Sequence, residues 1–406
     1  MTADDERRPP FDQRCVTDDD ERRARAAWSA MVEPGDLPAG ALVHALGARA
    51  ALEWVAAAGR GAPDWSALPG LPGPSRMRLI GAVHRWVARS AEVDVDVMLA
   101  DLDRAGGALV APGDDAWPCG LDDLGDAAPF ALWCRGSLPV GRASVAIVGS
   151  RASTGYGERV AFDLAAGLVA RGVAVVSGGA YGIDAAAHRG AIAGDGPTLV
   201  VLAGGVDRGY PAGNVRLFEE AIGTGGGVVS EMPPGALPTK SRFLQRNRLI
   251  AAMTGATVVV EAAWRSGALS TAHHAVDLMR PVGAVPGPVT SVASAGCHRL
   301  LREGAAVCVT DVDEVVELLP AAAEPGAGAA GLVEPEDTSW LDPVCLQVHD
   351  ALRLRTGSSE DAVARRAGVD AADVRSALGL LELAGLAVRN DDGWRAARQT
   401  RPGERH

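Results

Sequence analysis

Six short runs of apolar, largely β-branched residues recur along the middle of the chain, at 145–148, 173–177, 198–202, 228–230, 257–260 and 282–285. Between them lie amphipathic stretches with helical spacing, at 156–170, 183–192, 215–222, 245–253 and 271–279. A run that is apolar at every position, not at every second one, predicts a strand covered on both faces. Alternation with helices then predicts an α/β fold built on a parallel sheet between two helical layers. Ligands of such sheets gather beyond the carboxyl ends of the strands. The loops that follow the strands are therefore where chemistry is expected.

The flanks read differently. Residues 1–24 carry mixed charge and almost no apolar residues, as a disordered tail does. Residues 25–105 read as a small helical domain, SAM- or HhH-like, with apolar segments 42–58 and 77–87 separated by a Gly/Pro-rich stretch over 59–74. A connector containing Trp and Pro, 107–139, leads into the sheet, and the whole α/β domain spans 106–319. Residues 320–341, rich in Ala, Gly, Pro and acid, read as a flexible linker. Over 342–398, helical segments 344–354, 358–367 and 371–384, with Gly368 at a turn, precede a hairpin-like stretch around Asp391-Asp392-Gly393. That order predicts a winged-helix-like domain.

Charge narrows the picture. The 406 residues carry a formal net charge of −12, so a polyphosphate ligand needs a local basic patch on an acidic body. Six scattered cysteines (Cys15, Cys119, Cys134, Cys297, Cys308, Cys345) form no C-x-x-C pair and predict neither a zinc site nor a disulfide framework. Arg, Asp or Gly interrupts every apolar stretch before it reaches bilayer length, and the N-terminus has no apolar signal core. No membrane segment and a cytoplasmic location are expected.

Five loops hold the candidate residues. In 148–157, Gly149 lets backbone amides approach an anion at a helix start, while Ser150, Ser153, Thr154 and Arg151 offer donors. The string is neither G-x-G-x-x-G nor a Walker A loop, and a plain connecting turn accounts for it equally well. In 177–188, Ser177 and Gly178 repeat that layout. Asp184 is expected to serve the helix start, and His188, one turn on, to hydrogen-bond locally. In 203–214, Tyr210 is either a stacking ring for a base or a packed anchor before Pro211. From 232 to 260 there is no acid, while Lys240 (the chain's only lysine), Arg242, Arg246 and Arg248 are cationic and Phe243 lies among them. Cations that follow phosphates, interleaved with a ring, suit a single nucleic-acid strand. About four neutralised phosphates correspond to a log–log salt slope of roughly −3. The competing reading is a solvated basic face whose arginines pair with acids elsewhere. In 260–271, Ser266 and Gly267 open another helix, and Glu261 is expected in an ion pair with an arginine. His273 and His274 follow without a metal-spaced partner, one expected at the surface and one in the core.

Taken in order, Val148-Gly-Ser-Arg, Ser177-Gly-Gly-Ala-Tyr-Gly-Ile-Asp, Tyr210-Pro211, Ser230-Glu231, Arg246-Asn247-Arg248, Glu261-Ala262, Ser266-Gly267 and Val285-Pro-Gly resemble the DNA-processing protein A family (DprA, also called Smf) over roughly 140–310. The chain departs from the family pattern at Phe243-Leu244-Gln245, at 251–254 and at Gly296-Cys297-His298. The resemblance implies an extended Rossmann-like domain that binds single-stranded DNA, forms a homodimer and delivers the strand to the RecA recombinase in natural transformation. It implies no catalytic activity and no cofactor. On matching positions, Arg151, Lys240, Phe243, Arg246 and Arg248 would face DNA, Gly149, Ser150, Ser177 and Gly178 would line a phosphate pocket, and Ser266 and Gly267 would add a further corner. The end of the chain is neutral: from 343 to 398 eight basic residues offset eight acids, which suits protein contact better than duplex reading. The alternative is a nucleotide-processing enzyme of a related Rossmann-like fold, such as a phosphoribohydrolase. It lacks support from a Pro-Gly-Gly-x-Gly-Thr-x-x-Glu string, which the chain does not contain.

Overall fold

The computed structural model describes residues 19–68, 73–320, 342–353, 357–384, 386–390 and 393–397. They belong to two compact units, 1–322 and 323–406, each described here by itself.

The first unit opens with five helices: α1 (Asp19–Met31), α2 (Leu37–Leu46), α3 (Ala48–Gly59), α4 (Gly73–Ser90) and α5 (Val95–Arg104). Helix α1 corrects the expected tail over 1–24. Its first turn, Asp19-Asp20-Glu21, places acids at the positive end of the helix dipole, and Ala24, Trp28 and Met31 are buried below. Residues 1–18 lie outside the described residues. The apolar segment 42–58 falls on two helices, because Gly47 takes φ +80° between α2 and α3. Trp28 centres this module. It meets Trp86 edge-on with centroids 5.4 Å apart, stacks on Phe130 at 5.6 Å, and donates its indole N–H to the Ala48 carbonyl.

A nine-stranded sheet follows: β1 (Gly107–Val110), β2 (Leu132–Gly136), β3 (Ser144–Val148), β4 (Ala174–Ser177), β5 (Thr198–Leu202), β6 (Gly227–Ser230), β7 (Ala256–Val259), β8 (Val282–Ala284) and β9 (Val307–Cys308). Strands β3 to β9 are parallel, whereas β1 and β2 add an antiparallel edge beside β6. The intervening helices are α6 (Gly155–Val169), α7 (Ile183–Ala193), α8 (Val215–Gly223), α9 (Lys240–Ala252), α10 (Ala268–Asp277), α11 (Ala295–Arg302) and α12 (Val312–Glu317). Alternation along β3 shows why its whole run is apolar. Val145 and Ile147 pack with α6 and α7 on one face, and Ala146 and Val148 pack with α9 and α10 on the other. Trp133 of β2 reaches back to α1, donating to Ser29 Oγ.

Strand order decides where a ligand can enter. It runs β1-β2-β6-β5-β4-β3-β7-β8-β9, so the chain winds from β3 out to β6 and then returns to the other side of β3 with β7. The crevice at the carboxyl ends of β3 and β7 is thus the topological switch point.

The second unit contains α13 (Pro343–Asp350), α14 (Glu360–Ala367) and α15 (Ala371–Leu383), then the hairpin β10 (Ala387–Asn390) and β11 (Gly393–Ala396). Gly368 ends α14 in the left-handed conformation at the expected turn. Ser358 and Trp394 exchange two backbone hydrogen bonds, pinning the hairpin to the start of α14. The expected hairpin turn at Asp391 and Asp392, and most of the expected linker, 321–341, lie outside the described residues.

Candidate functional site

A cleft of about 780 Å³ opens at the switch point, walled by the loops after β3 and β7 and by the first turns of α9 and α10. Glu261, at the end of β7, holds its two sides together. The carboxylate accepts from the Thr154 amide at 2.9 Å and from the Thr154 hydroxyl at 2.6 Å. Thr154 Oγ1 in turn accepts from the Gly157 amide and caps α6. In place of the ion pair expected for Glu261, this buried carboxylate is held by hydrogen bonds from Thr154.

Cations and rings converge on the cleft. Arg151 is exposed, with its guanidinium carbon 4.7 Å from the Phe243 ring centroid. Phe243 lies 5.7 Å from the ring of Tyr210, which is 50% exposed. Lys240 begins α9 and Arg265 sits between β7 and α10, both exposed and both on the cleft wall. Among the described residues, Arg151, Lys240 and Arg265 have no carboxylate partner. Ser150, Ser266 and Gly267 complete the rim, and a Cβ added at Gly267 would meet open space.

Other cations expected at a nucleic-acid surface turn inward. Arg248 is only 3% exposed. Its terminal nitrogens donate to the two oxygens of Glu231 at 2.7 and 2.9 Å, and its Nε donates to the Ala127 carbonyl. Arg242 pairs with Glu33 at 2.9 Å. Arg246 touches the cleft but is buried, donating to the carbonyls of Gly178 and Val201 and so bracing the ends of β4 and β5. Arg248 thus corrects the expectation outright, and Arg246 is a support beneath Phe243, 5.8 Å from its ring centroid.

The glycine corners are tightly packed as well, although Gly149 still lines the cleft. Ser177 is buried and donates its hydroxyl to the Ile147 carbonyl at 2.6 Å. A Cβ on Gly178 would lie 2.4 Å from the Arg246 guanidinium, and one on Gly149 would lie 2.6 Å from the Ile183 side chain. Both glycines therefore answer to packing. The amides of Gly149, Gly178 and Ala180 point to the Asp184 carboxylate, which is buried at the start of α7. Burial raises the Asp184 pKa against the pull of Arg246 and these three amides, and burial lowers Arg246 to about 10 with Asp184 opposing. A carboxyl group already occupies the place where the sequence suggested a phosphate.

His188 bonds as expected to a close neighbour in space. Its Nδ1 lies 2.7 Å from Thr198 Oγ1, whose own proton goes to the Val175 carbonyl, so Nδ1 is the donor. His273 is exposed and His274 half-buried. Arg265 was not singled out by sequence reasoning. The available signal was its position after the strand that returns across β3, not the local charge density.

Together these features define an extended Rossmann-like protein with a cationic, ring-bearing cleft at its switch point, joined in the same chain to a winged helix. The chain belongs to the DNA recombination-mediator protein A family, whose description matches residues 108–320, and a DprA winged helix domain matches 336–393. A DNA processing protein DprA of Mycobacterium tuberculosis is 46% identical over 333 residues, covering 78% of this chain and 82% of the relative. Protein Smf of Escherichia coli is 36% identical over 274 residues, 66% of this chain and 71% of its own. The crystal structure of DNA processing protein A from Streptococcus pneumoniae superposes with a TM-score of 0.56 at 29% identity, covering 74% of this chain and 98% of that one. Among the described residues no single helix is long and apolar enough to cross a membrane.

Proposed function

We propose that the switch-point cleft binds single-stranded DNA, with Arg151, Lys240 and Arg265 on the phosphates, Phe243 and Tyr210 against the bases, and Ser150, Ser266 and Gly267 along the strand. The observation that carries this reading is the convergence of three cations without carboxylate partners and two adjacent rings on one cleft of a chain with net charge −12. A duplex stacks its bases inside and offers no ring for these side chains to meet. The protein acts by binding and not by catalysis. The buried carboxylates nearest the cleft, Asp184 and Glu261, are engaged by backbone amides and by Thr154.

The family's description as a recombination mediator supports one further step, in which the bound strand is passed to a RecA recombinase; a cytoplasmic homodimer is proposed as the working form. Sedimentation of the purified protein, and RecA-driven strand exchange with and without it, check these proposals. The primary test is fluorescence anisotropy with oligo(dT) and with duplex of the same length. The parent is expected to bind the single strand far more tightly, and the Arg151→Ala/Lys240→Glu double variant is expected to lose that binding. A double variant that binds as the parent does overturns the site.

A further inference from the structure

We propose that Trp264 forms a second nucleobase platform, so that a strand leaving the main cleft crosses the start of α10 into a subsite of its own. The inference rests on the reading of the main cleft as a single-strand site and extends it to residues outside that cleft.

A second cavity of about 380 Å³ lies beside the first. Arg265, Ser266 and Ser270 line both, so the two share a wall made of a cation and two hydroxyls. Beyond that wall stands Trp264, 52% exposed, in a loop at the ligand edge of the sheet. Tryptophan is a side chain that folding usually hides, and a half-exposed one beside a cationic cleft leaves a large ring surface unused.

The ring is also held in place. The Arg299 guanidinium carbon sits 5.3 Å from its centroid, and Arg299 is anchored by Glu303 at 2.9 Å. A ring already fixed by a neighbouring cation loses little freedom when a base stacks on it. Asp277 is the acid on the cavity wall, with Glu303 behind Arg299. Asp277 repels phosphates from the far side, where the Arg299 cation is already paired with Glu303. The sugar–phosphate chain therefore follows Arg265, and the base turns toward Trp264 and the exposed His273. Continuity with the main cleft selects a polynucleotide as occupant, since a detached ligand would have no use for the shared wall.

The prediction is a dependence on strand length. Anisotropy titrations would use oligo(dT) from ~4 to ~20 nucleotides, spanning the usual range of single-strand site sizes. The Trp264→Ala variant is expected to match the parent on the shortest strands and to bind the longest roughly tenfold more weakly, the scale of one lost base–ring stack. Trp264→Phe is expected to recover most of that loss, and both variants to unfold at the parent's midpoint. The Arg151→Ala/Lys240→Glu variant should instead lose binding at every length. A Trp264→Ala protein that binds all lengths as the parent does overturns the subsite. Equal loss at short and long lengths also overturns it, because Trp264 would then only shape the main cleft. A parent that binds no oligo(dT) defeats the reading of the main cleft, and the subsite with it.

Discussion

Arg248 gives both terminal nitrogens to Glu231 and its Nε to the Ala127 carbonyl, so removing it strands a buried carboxylate beside the lead-in to the sheet. Losing one partner of a buried pair costs about 3–5 kcal/mol. Arg248→Ala is expected to lower the urea midpoint by a corresponding amount. Lys240→Ala, at an exposed first-turn position, should leave that midpoint unchanged while weakening oligo(dT) binding. The contrast separates cations that build the site from cations that serve it. The sequence revealed the density of charge in 240–248 but not its direction. Helix α9 starts at Lys240, with the Thr239 hydroxyl accepting from the Arg242 amide as its cap, and not near 245 as expected. A helix that enters the core from its rim keeps only its start at the surface, here as far as Leu244. With the start placed five residues late, positions 246 and 248 looked like the exposed first turn, whereas they lie in the buried part.

The legibility of the strands follows the same logic of burial. The six central strands were readable because two covered faces demand an unbroken apolar run. Strands β1 and β2 escaped because neither is covered along its whole length, β1 being half-exposed and β2 ending in the exposed Gly136, and because both are set in a connector rich in Trp and Pro; β9 has only two residues. Between β4 and β5, His188 and Thr198 form a polar joint inside the core. Burial lowers the His188 pKa to about 3, while an unfolded histidine titrates near 6.5. Below pH 6.5 the unfolded chain takes up a proton that the native imidazole refuses. Stability therefore falls as pH drops from about 6.5 toward 3, by up to about 1.4 kcal/mol per pH unit. Denaturant melts across this range should show a flatter pH dependence for His188→Gln than for the parent, since carboxylate titration is common to both. Identical slopes would mean that this joint does not govern acid sensitivity.

On the scale of the whole molecule, the contrast between an acidic body and one cationic cleft sets the salt response. Three cleft cations without a carboxylate partner among the described residues, where the sequence suggested four, correspond to a log–log salt slope of roughly −2 on a single strand instead of −3. A slope near −3 would return one of the inward-facing arginines to the DNA. The second unit was legible in outline because its helices carry their own caps and turn: Asp342 caps α13, Ser359 caps α14 and Gly368 ends it. The role of the site was less legible than its location. Strand alternation led to the right edge of the sheet, but only packing revealed which groups there were already engaged.

One resident of that edge has a consequence for selectivity. Many nucleotide-binding domains grip a lone pyrophosphate in a nest of glycine amides. Here the buried Asp184 carboxyl fills the nest, with the amides of Gly149, Gly178 and Ala180 directed at it. A mononucleotide finds that berth taken, whereas a polymer can moor at several scattered posts at once.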